Sequence, residues 1–287
     1  MVTRKNAFSS LLLILLTSML AQAGDGPFRL RPGFRPGDES RYLIKASVTT
    51  SVSPRGENGL SASLSKEVTA TILLRTVAVG EQGEVSQEAI IEAVSSSAVK
   101  DGVETASNGD ALAGKKIEFT FNSAGQLLKC SIPVQSAELG LADAVFALVR
   151  WFPLEGAAIG DTWKAPGQGP VYADRLSDIA KNSTTEYRLL EVDEDTALIE
   201  GTVTLSQSGA SVIPAGRERL NVNVAASGGG KTRFSYNISS HRITGGATET
   251  RLEGRLANIL PSEAGGKLLS REGALVETAR FSIKLLP

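Results

Sequence analysis

The chain has 287 residues, with 30 Lys and Arg against 31 Asp and Glu and a formal net charge of −1, so its charge points neither to nucleic acid nor to an anionic membrane surface. A single cysteine, Cys130, excludes an internal disulfide, and a single histidine, His241, leaves any metal site to carboxylates and backbone oxygens. Hydrophobic residues make up 41% and aromatic residues 5%, enough apolar chain to bury a core as one large or two smaller domains.

Arg4 and Lys5 precede the apolar run 11–16, and Ala21-Gln22-Ala23 has the small-residue pattern of a signal-peptidase site. The run is too short to span a bilayer comfortably, so residues 1–23 are expected to be a signal peptide cleaved after Ala23. The mature protein is then periplasmic or extracellular, without a transmembrane span. No cysteine stands at the cleavage point to carry a lipid.

Residues 24–136 read as a first β-rich lobe. After a turn-rich lead-in over 30–38, Tyr42, Ile44, Ala46, Val48, Thr50 and Val52 fall on one face of an extended run, and Arg41, Lys45, Ser47, Thr49 and Ser51 on the other. The alternation resumes over 64–79, turns at Gly80-Glu81-Gln82-Gly83, and returns over 84–98. A polar loop over 100–114 leads to a short strand carrying Ile117, Phe119 and Phe121 on one face. The turn Asn122-Ser123-Ala124-Gly125 then leads into a returning strand over 126–132.

Residues 137–157 break the pattern. Leu139, Ala142, Val145, Phe146, Val149 and Phe152 recur three or four positions apart, which predicts one amphipathic helix ended by Pro153. Its apolar stripe needs a sheet face to cover.

Residues 158–287 form a second β-rich lobe with the same syntax. Gly37-Asp38 and Gly160-Asp161 both precede an aromatic in a starting strand, Tyr42 and Trp163; both aspartates are expected to accept hydrogen bonds from nearby backbone amides. Residues 73–91 match 187–203 as strand, acidic turn, strand, and 116–128 match 231–243. Three matches in one order point to internal duplication; one meander with look-alike hairpins is the alternative. A turn is expected at 206–210, a strand over 212–226, and a flexible connector at Gly228-Gly229-Gly230. Alternating faces over 248–256 and 275–286 end the chain. The expected fold is therefore mostly β, with two antiparallel β-sheet lobes of similar topology and one amphipathic helix between them.

Catalytic signatures are missing: no HExxH, CxxC, Gly-rich phosphate loop or Gly-x-Ser-x-Gly elbow occurs. His241 sits between Ser240 and Arg242, a place for a structural or exposed histidine more than for a general base. Asp193-Glu194-Asp195 lacks the spacing of a calcium loop and reads as an acidic hairpin turn. No metal and no cofactor are expected. A membrane barrel would need apolar outward bands and aromatic girdles, which these Thr-, Ser- and Ala-rich faces do not supply.

The export signal, the Gly-Asp turns, the hairpin FTFNSAGQL and the segment RWFPLEGAAIGDTW together resemble a family of bacterial secreted or envelope proteins catalogued as DUF6263. The resemblance covers about residues 30–287 and implies two strand-rich halves around a helix, with no catalytic residues to carry over. Relatives of this kind are often lipid-anchored, and this chain departs from them in lacking the lipid-bearing cysteine.

Three functions follow as alternatives. The first is a non-enzymatic envelope protein that binds another envelope protein or serves as a scaffold. The second is a carrier of a lipid or other hydrophobic small molecule in a groove between curved sheet and helix. Phe119, Phe121, Phe146, Val149, Trp151, Phe152 and Trp163 would line that groove. The third, a hydrolase, would have to work through His241. Nucleic acid is not an expected partner.

Overall fold

The computed structural model describes residues 27–28, 30, 33–56, 59, 61–105, 109–123, 125–133, 141, 145, 148, 156–164, 180–215, 218–260 and 269–287. The expected signal peptide lies outside the described residues.

Among the described residues twelve strands form one antiparallel sheet. They are β1 (Glu39–Arg55), β2 (Ala62–Val79), β3 (Val85–Lys100), β4 (Val103–Thr105), β5 (Lys116–Phe121), β6 (Leu127–Ser131), β7 (Thr162–Lys164), β8 (Ala180–Asp193), β9 (Thr196–Ala215), β10 (Glu218–Asn237), β11 (Arg242–Leu260) and β12 (Leu269–Leu285). Their order across the sheet is β6-β5-β3-β2-β1-β12-β11-β10-β9-β8-β7, with β4 beside β3. Among the described residues the sheet is open, because β6 and β7 end the order without pairing to each other. Both terminal strands are short, and among the described residues parts of β3 and β8 beyond them have no strand partner on their outer side.

This order corrects the expectation of two sheet lobes. β12 pairs with β11 along one side and with β1 along the other, from Tyr42 opposite Leu285 to Arg55 opposite Glu272. The last strand thus closes the gap between the halves of the chain and satisfies backbone groups that two separate sheets would leave at exposed edges. The halves nonetheless run alike: β1, β2, β3, β5 and β6 are neighbours in chain order, as are β7, β8, β9, β10 and β11. Both series advance across the sheet in the same direction, the first from the centre to one edge and the second from the other edge to the centre.

The expected helix is also corrected. The described residues contain no delimited helix beyond one 3-10 turn, Gly109–Leu112. Of the stretch 137–157, only Leu141, Val145, Leu148, Gly156 and Ala157 are described, with helical backbone at the isolated positions 141 and 145. Leu141, Val145 and Leu148 are buried, whereas the expected stripe shared only Val145 with them. Apolar residues lie on nearly every side of this segment, so spacing alone did not select the face that the sheet covers.

Two further breaks vanish. The expected turn at 206–210 lies inside β9, and Gly228-Gly229-Gly230 lies inside β10, paired on both sides with β9 and β11. Strand pairing over the full length of β9 and β10 overrides the weak local preferences of Ser, Gly and Ala. The glycines are there for close approach: a Cβ on Gly228 or Gly230 would collide with the carbonyl oxygen of Arg251 or Glu249. The expected strand 212–226 consequently straddles the connection from β9 to β10.

One face of the sheet is dry and the other wet, as period-two alternation requires. On the dry face Tyr42 and Ile44 of β1 stand beside Ile72 and Ala70 of β2 and beside Ile283 of β12. The main core gathers at the end of the sheet that carries the turns at 80–83, 122–125, 194–195 and 238–241. Leu30, Leu112, Leu141, Val145 and Leu148 join it from outside the strands. Phe28 and Ala157 exchange both backbone hydrogen bonds at 2.9 Å, fastening part of this second layer together. A smaller cluster, Val52, Val222, Val224 and Leu275, lies toward the opposite end.

Candidate functional site: a groove across the wet face

The Gly-Asp turns share one hydrogen-bond pattern. Asp38 accepts from the amide of Arg35 at 2.9 Å, and Asp161 accepts from that of Ala158 at 2.8 Å. Gly37 and Gly160 have φ of 88° and 96°, a left-handed backbone that glycine adopts without strain. Each glycine amide donates to the neighbouring strand, at Thr76 O and Leu189 O, and the amides of Thr76 and Leu189 donate back to Asp38 O and Asp161 O. The turns thus clamp the starts of β1 and β7 to β2 and β8.

The other conspicuous polar residues are engaged in turns. Asp195 accepts from Ser239 N at 2.8 Å, Ser239 Oγ at 2.6 Å and Asn237 Nδ2 at 2.9 Å, tying the β8–β9 turn to the β10–β11 turn. These donors, Ser239 first, hold its carboxyl below the usual range for aspartate. His241 has φ of 54°, and its Nδ1 lies 3.3 Å from Tyr236 Oη. Ser239 Oγ therefore serves Asp195 rather than His241, and no nucleophile–base pair is assembled from these three. Among the described residues no group of three His, Cys, Asp or Glu side chains could hold a metal ion. Cys130 is half-buried on β6, opposite Phe119.

Of the aromatic residues expected to line a cavity, Phe119 and Phe121 are 3% and 4% exposed. Phe121 meets Phe34 edge-on with ring centres 5.4 Å apart and lies 6.3 Å from Phe119. Trp163 is half-buried and stacks on Tyr187 at 5.9 Å, and Tyr187 meets Phe234 edge-on at 5.8 Å. The structure places these three residues in packed aromatic groups near opposite edges of the sheet. Phe146, Val149, Trp151 and Phe152 lie outside the described residues.

A groove of about 600 Å3 lies instead over the middle of the sheet, lined by β2, β1, β12, β11 and β10. Its walls are two rows of wet-face side chains that cross the strands. One row runs Thr69, Lys45, Ser282, Ala247, Arg233; the other runs Glu67, Ser47, Arg280, Glu249, Lys231. Four cations face two carboxylates. Arg280 donates to Glu249 Oε1 through Nε and Nη2 at 2.9 and 2.8 Å, and Lys231 Nζ lies 3.9 Å from Glu200. Lys45 and Arg233 have no ion-pair partner among the described residues. Sequence reading placed Lys45 on a wet face but had no signal for the groove, since Lys45 and Arg280 become neighbours only when the first and last strands pair.

Farther out on the same face the charges are compensated. Arg75 bridges Glu39 at 2.7 Å and Glu88 at 3.2 Å, and Lys116 reaches the other oxygen of Glu88 at 2.7 Å, a charge ladder over β1, β2, β3 and β5. Arg41 binds Glu92 through two hydrogen bonds of 2.7 and 2.9 Å. The guanidinium draws the Glu92 carboxyl below its usual range, and the hydrogen-bonded carboxylate raises Arg41 in turn.

No protein-family model matches this chain, and no curated protein does. Among solved structures, the chain is similar to a lipovitellin structure described by its lipid–protein interactions, with a TM-score of 0.49 and 11% identity. That match covers 88% of this chain, which spans only 25% of the lipovitellin chain. An outer membrane channel from Pseudomonas putida F1 matches with a TM-score of 0.26 and 7% identity over 92% of this chain and 100% of its own. OccK5 (OpdH) of Pseudomonas aeruginosa matches with a TM-score of 0.22 and 6% identity over 87% of this chain and 98% of its own. All three scores lie below one half.

Proposed function

We propose that this chain is an exported binding module, without catalysis of its own, that holds a partner against the wet face of its sheet in the bacterial envelope or outside the cell. The observation that carries this reading is the groove, which strands from both halves of the chain build together and whose cations are only partly compensated. The engagement of Ser239, His241 and Asp195 in turn hydrogen bonds supports a role in binding over one in hydrolysis. The resemblance to DUF6263 envelope proteins supports the compartment. The shared turn geometry and strand order support an origin by duplication of a five-stranded unit.

Site-specific photo-crosslinking in the producing cell tests the proposal. A crosslinker at Ser47, in the groove, is expected to trap one discrete partner that a crosslinker at Glu81, in the β2–β3 turn, does not. Equal, diffuse products from both positions would remove the wet face as the contact surface.

Carriage of a hydrophobic ligand is the second reading. The small dry-face cluster around Val52 and Leu275 favours it, because among the described residues only strand residues form it. Acyl chains found by mass spectrometry in extracts of the purified protein would support this reading, and a ligand-free protein would exclude it.

A further inference from the structure

We propose that the groove takes an extended acidic peptide segment, with Lys45 and Arg233 as its two anion contacts; this rests on the wet face being the contact surface. Lys45, Ser282, Ala247 and Arg233 stand in one register row on four neighbouring strands. Only the small side chains of Ser282 and Ala247 separate the two cations, so a chain can lie between them. In the opposite row Arg280 is held by Glu249, which leaves most of the uncompensated charge on Lys45 and Arg233.

Every strand of the groove is paired here on both sides: β1, β12 and β11 with their neighbours in these rows, β2 with β1 and β3, and β10 with β11 and β9. No backbone donor or acceptor of the floor is left to recognise a ligand, so side chains must do it. Electrostatic complementarity selects the class of partner.

Spacing narrows it. Three strand steps of about 4.8 Å put the backbones of Lys45 and Arg233 about 14 Å apart. An extended chain rises about 3.4 Å per residue, so two carboxylates four positions apart span the same distance. Glu67 in the facing row disfavours a continuous polyanion such as polyphosphate, but it tolerates separated charges with neutral residues between them.

The test is fluorescence anisotropy with the intact mature chain and a labelled peptide of Ser and Thr carrying two glutamates four residues apart. Binding is expected to be about tenfold tighter than for the same peptide with glutamines, as two exposed ion pairs permit. It should weaken severalfold when salt is raised to about 0.3 M. The double variant Lys45→Glu/Arg233→Glu should lose the glutamate preference, and Lys129→Glu, an exposed change on β6 outside the groove, should keep it. Far-UV circular dichroism checks that both variants are folded. Equal binding of the glutamine peptide, an unchanged double variant, or tighter binding of polyphosphate would each overturn the inference. If the double variant still crosslinks its cellular partner through Ser47, the peptide assignment fails while the binding-module reading stands.

Discussion

Replacing Gly201 with alanine puts a methyl group where the dry face has no room. Gly201 lies on β9 opposite Tyr187 of β8, whose ring sits between Trp163 and Phe234. A Cβ at this position would stand 2.6 Å from Thr232 Cγ2, 2.8 Å from Tyr187 Cδ1 and 2.9 Å from Thr185 Cγ2. Thr232 is not free to turn away, since Thr248 Oγ1 donates to its Oγ1 at 2.7 Å. In an unobstructed strand the substitution stabilises by about 0.5–1 kcal/mol, because alanine has less freedom to lose on folding. Overpacking of a filled site costs about 1–3 kcal/mol. The net expectation is a loss of about 0.5–2 kcal/mol, opposite in sign to the local preference. Gly245 on β11 is the control: a Cβ there would meet only Ile283 O, at 3.6 Å. Gly245→Ala should therefore be neutral or stabilise by up to about 1 kcal/mol. Urea unfolding followed by tryptophan fluorescence and circular dichroism reads both as midpoint shifts at constant slope. If Gly201→Ala proves as stable as the parent, the tight aromatic packing described around Tyr187 is refuted.

The remaining predictions concern turns and titration. Asp38→Ala and Asp161→Ala should each cost about 1 kcal/mol in urea unfolding, from one lost side-chain-to-backbone hydrogen bond, and should add within about 0.5 kcal/mol because the turns share no partner; a strongly non-additive double variant would contradict independent clamps. Asp195 has a folded pKa below its ordinary 3.8, so its contribution is present above that value and is lost as pH falls through the folded pKa. Asp195→Asn should accordingly flatten the acid limb of stability against pH, and an unchanged limb would deny Asp195 that role. Burial pushes the Tyr42 hydroxyl up to about 12 from 10.0. Its stabilising contribution is complete below pH 10 and declines as pH rises toward 12. Absorbance titration should show Tyr42→Phe removing a late-ionising phenol, whereas loss of an early one would contradict its burial.

What the sequence could determine was local. Tyr42, Ile44 and Val52 alternate with Arg41, Lys45 and Ser51, and period two alone says which residues share a face and that the face is buried. The Gly-Asp turns were legible for the same reason, since an aspartate that binds an amide three residues back needs nothing from the rest of the chain. The 228–230 glycines were misread because a glycine that bends a chain and one that admits a neighbouring carbonyl look alike until the neighbour is known. The burial of Leu141, Val145 and Leu148 depended in the same way on the sheet beneath.

The tertiary structure decided what joins what. The pairing of β12 with β1 merges two strand-rich halves into one sheet, and no local preference near residue 42 anticipates residue 285. Strand partners are chosen by satisfying backbone groups and matching dry faces over the whole molecule. Lys45, Arg233 and Arg280 are therefore ordinary wet-face residues in the sequence and become the walls of one groove only in the fold.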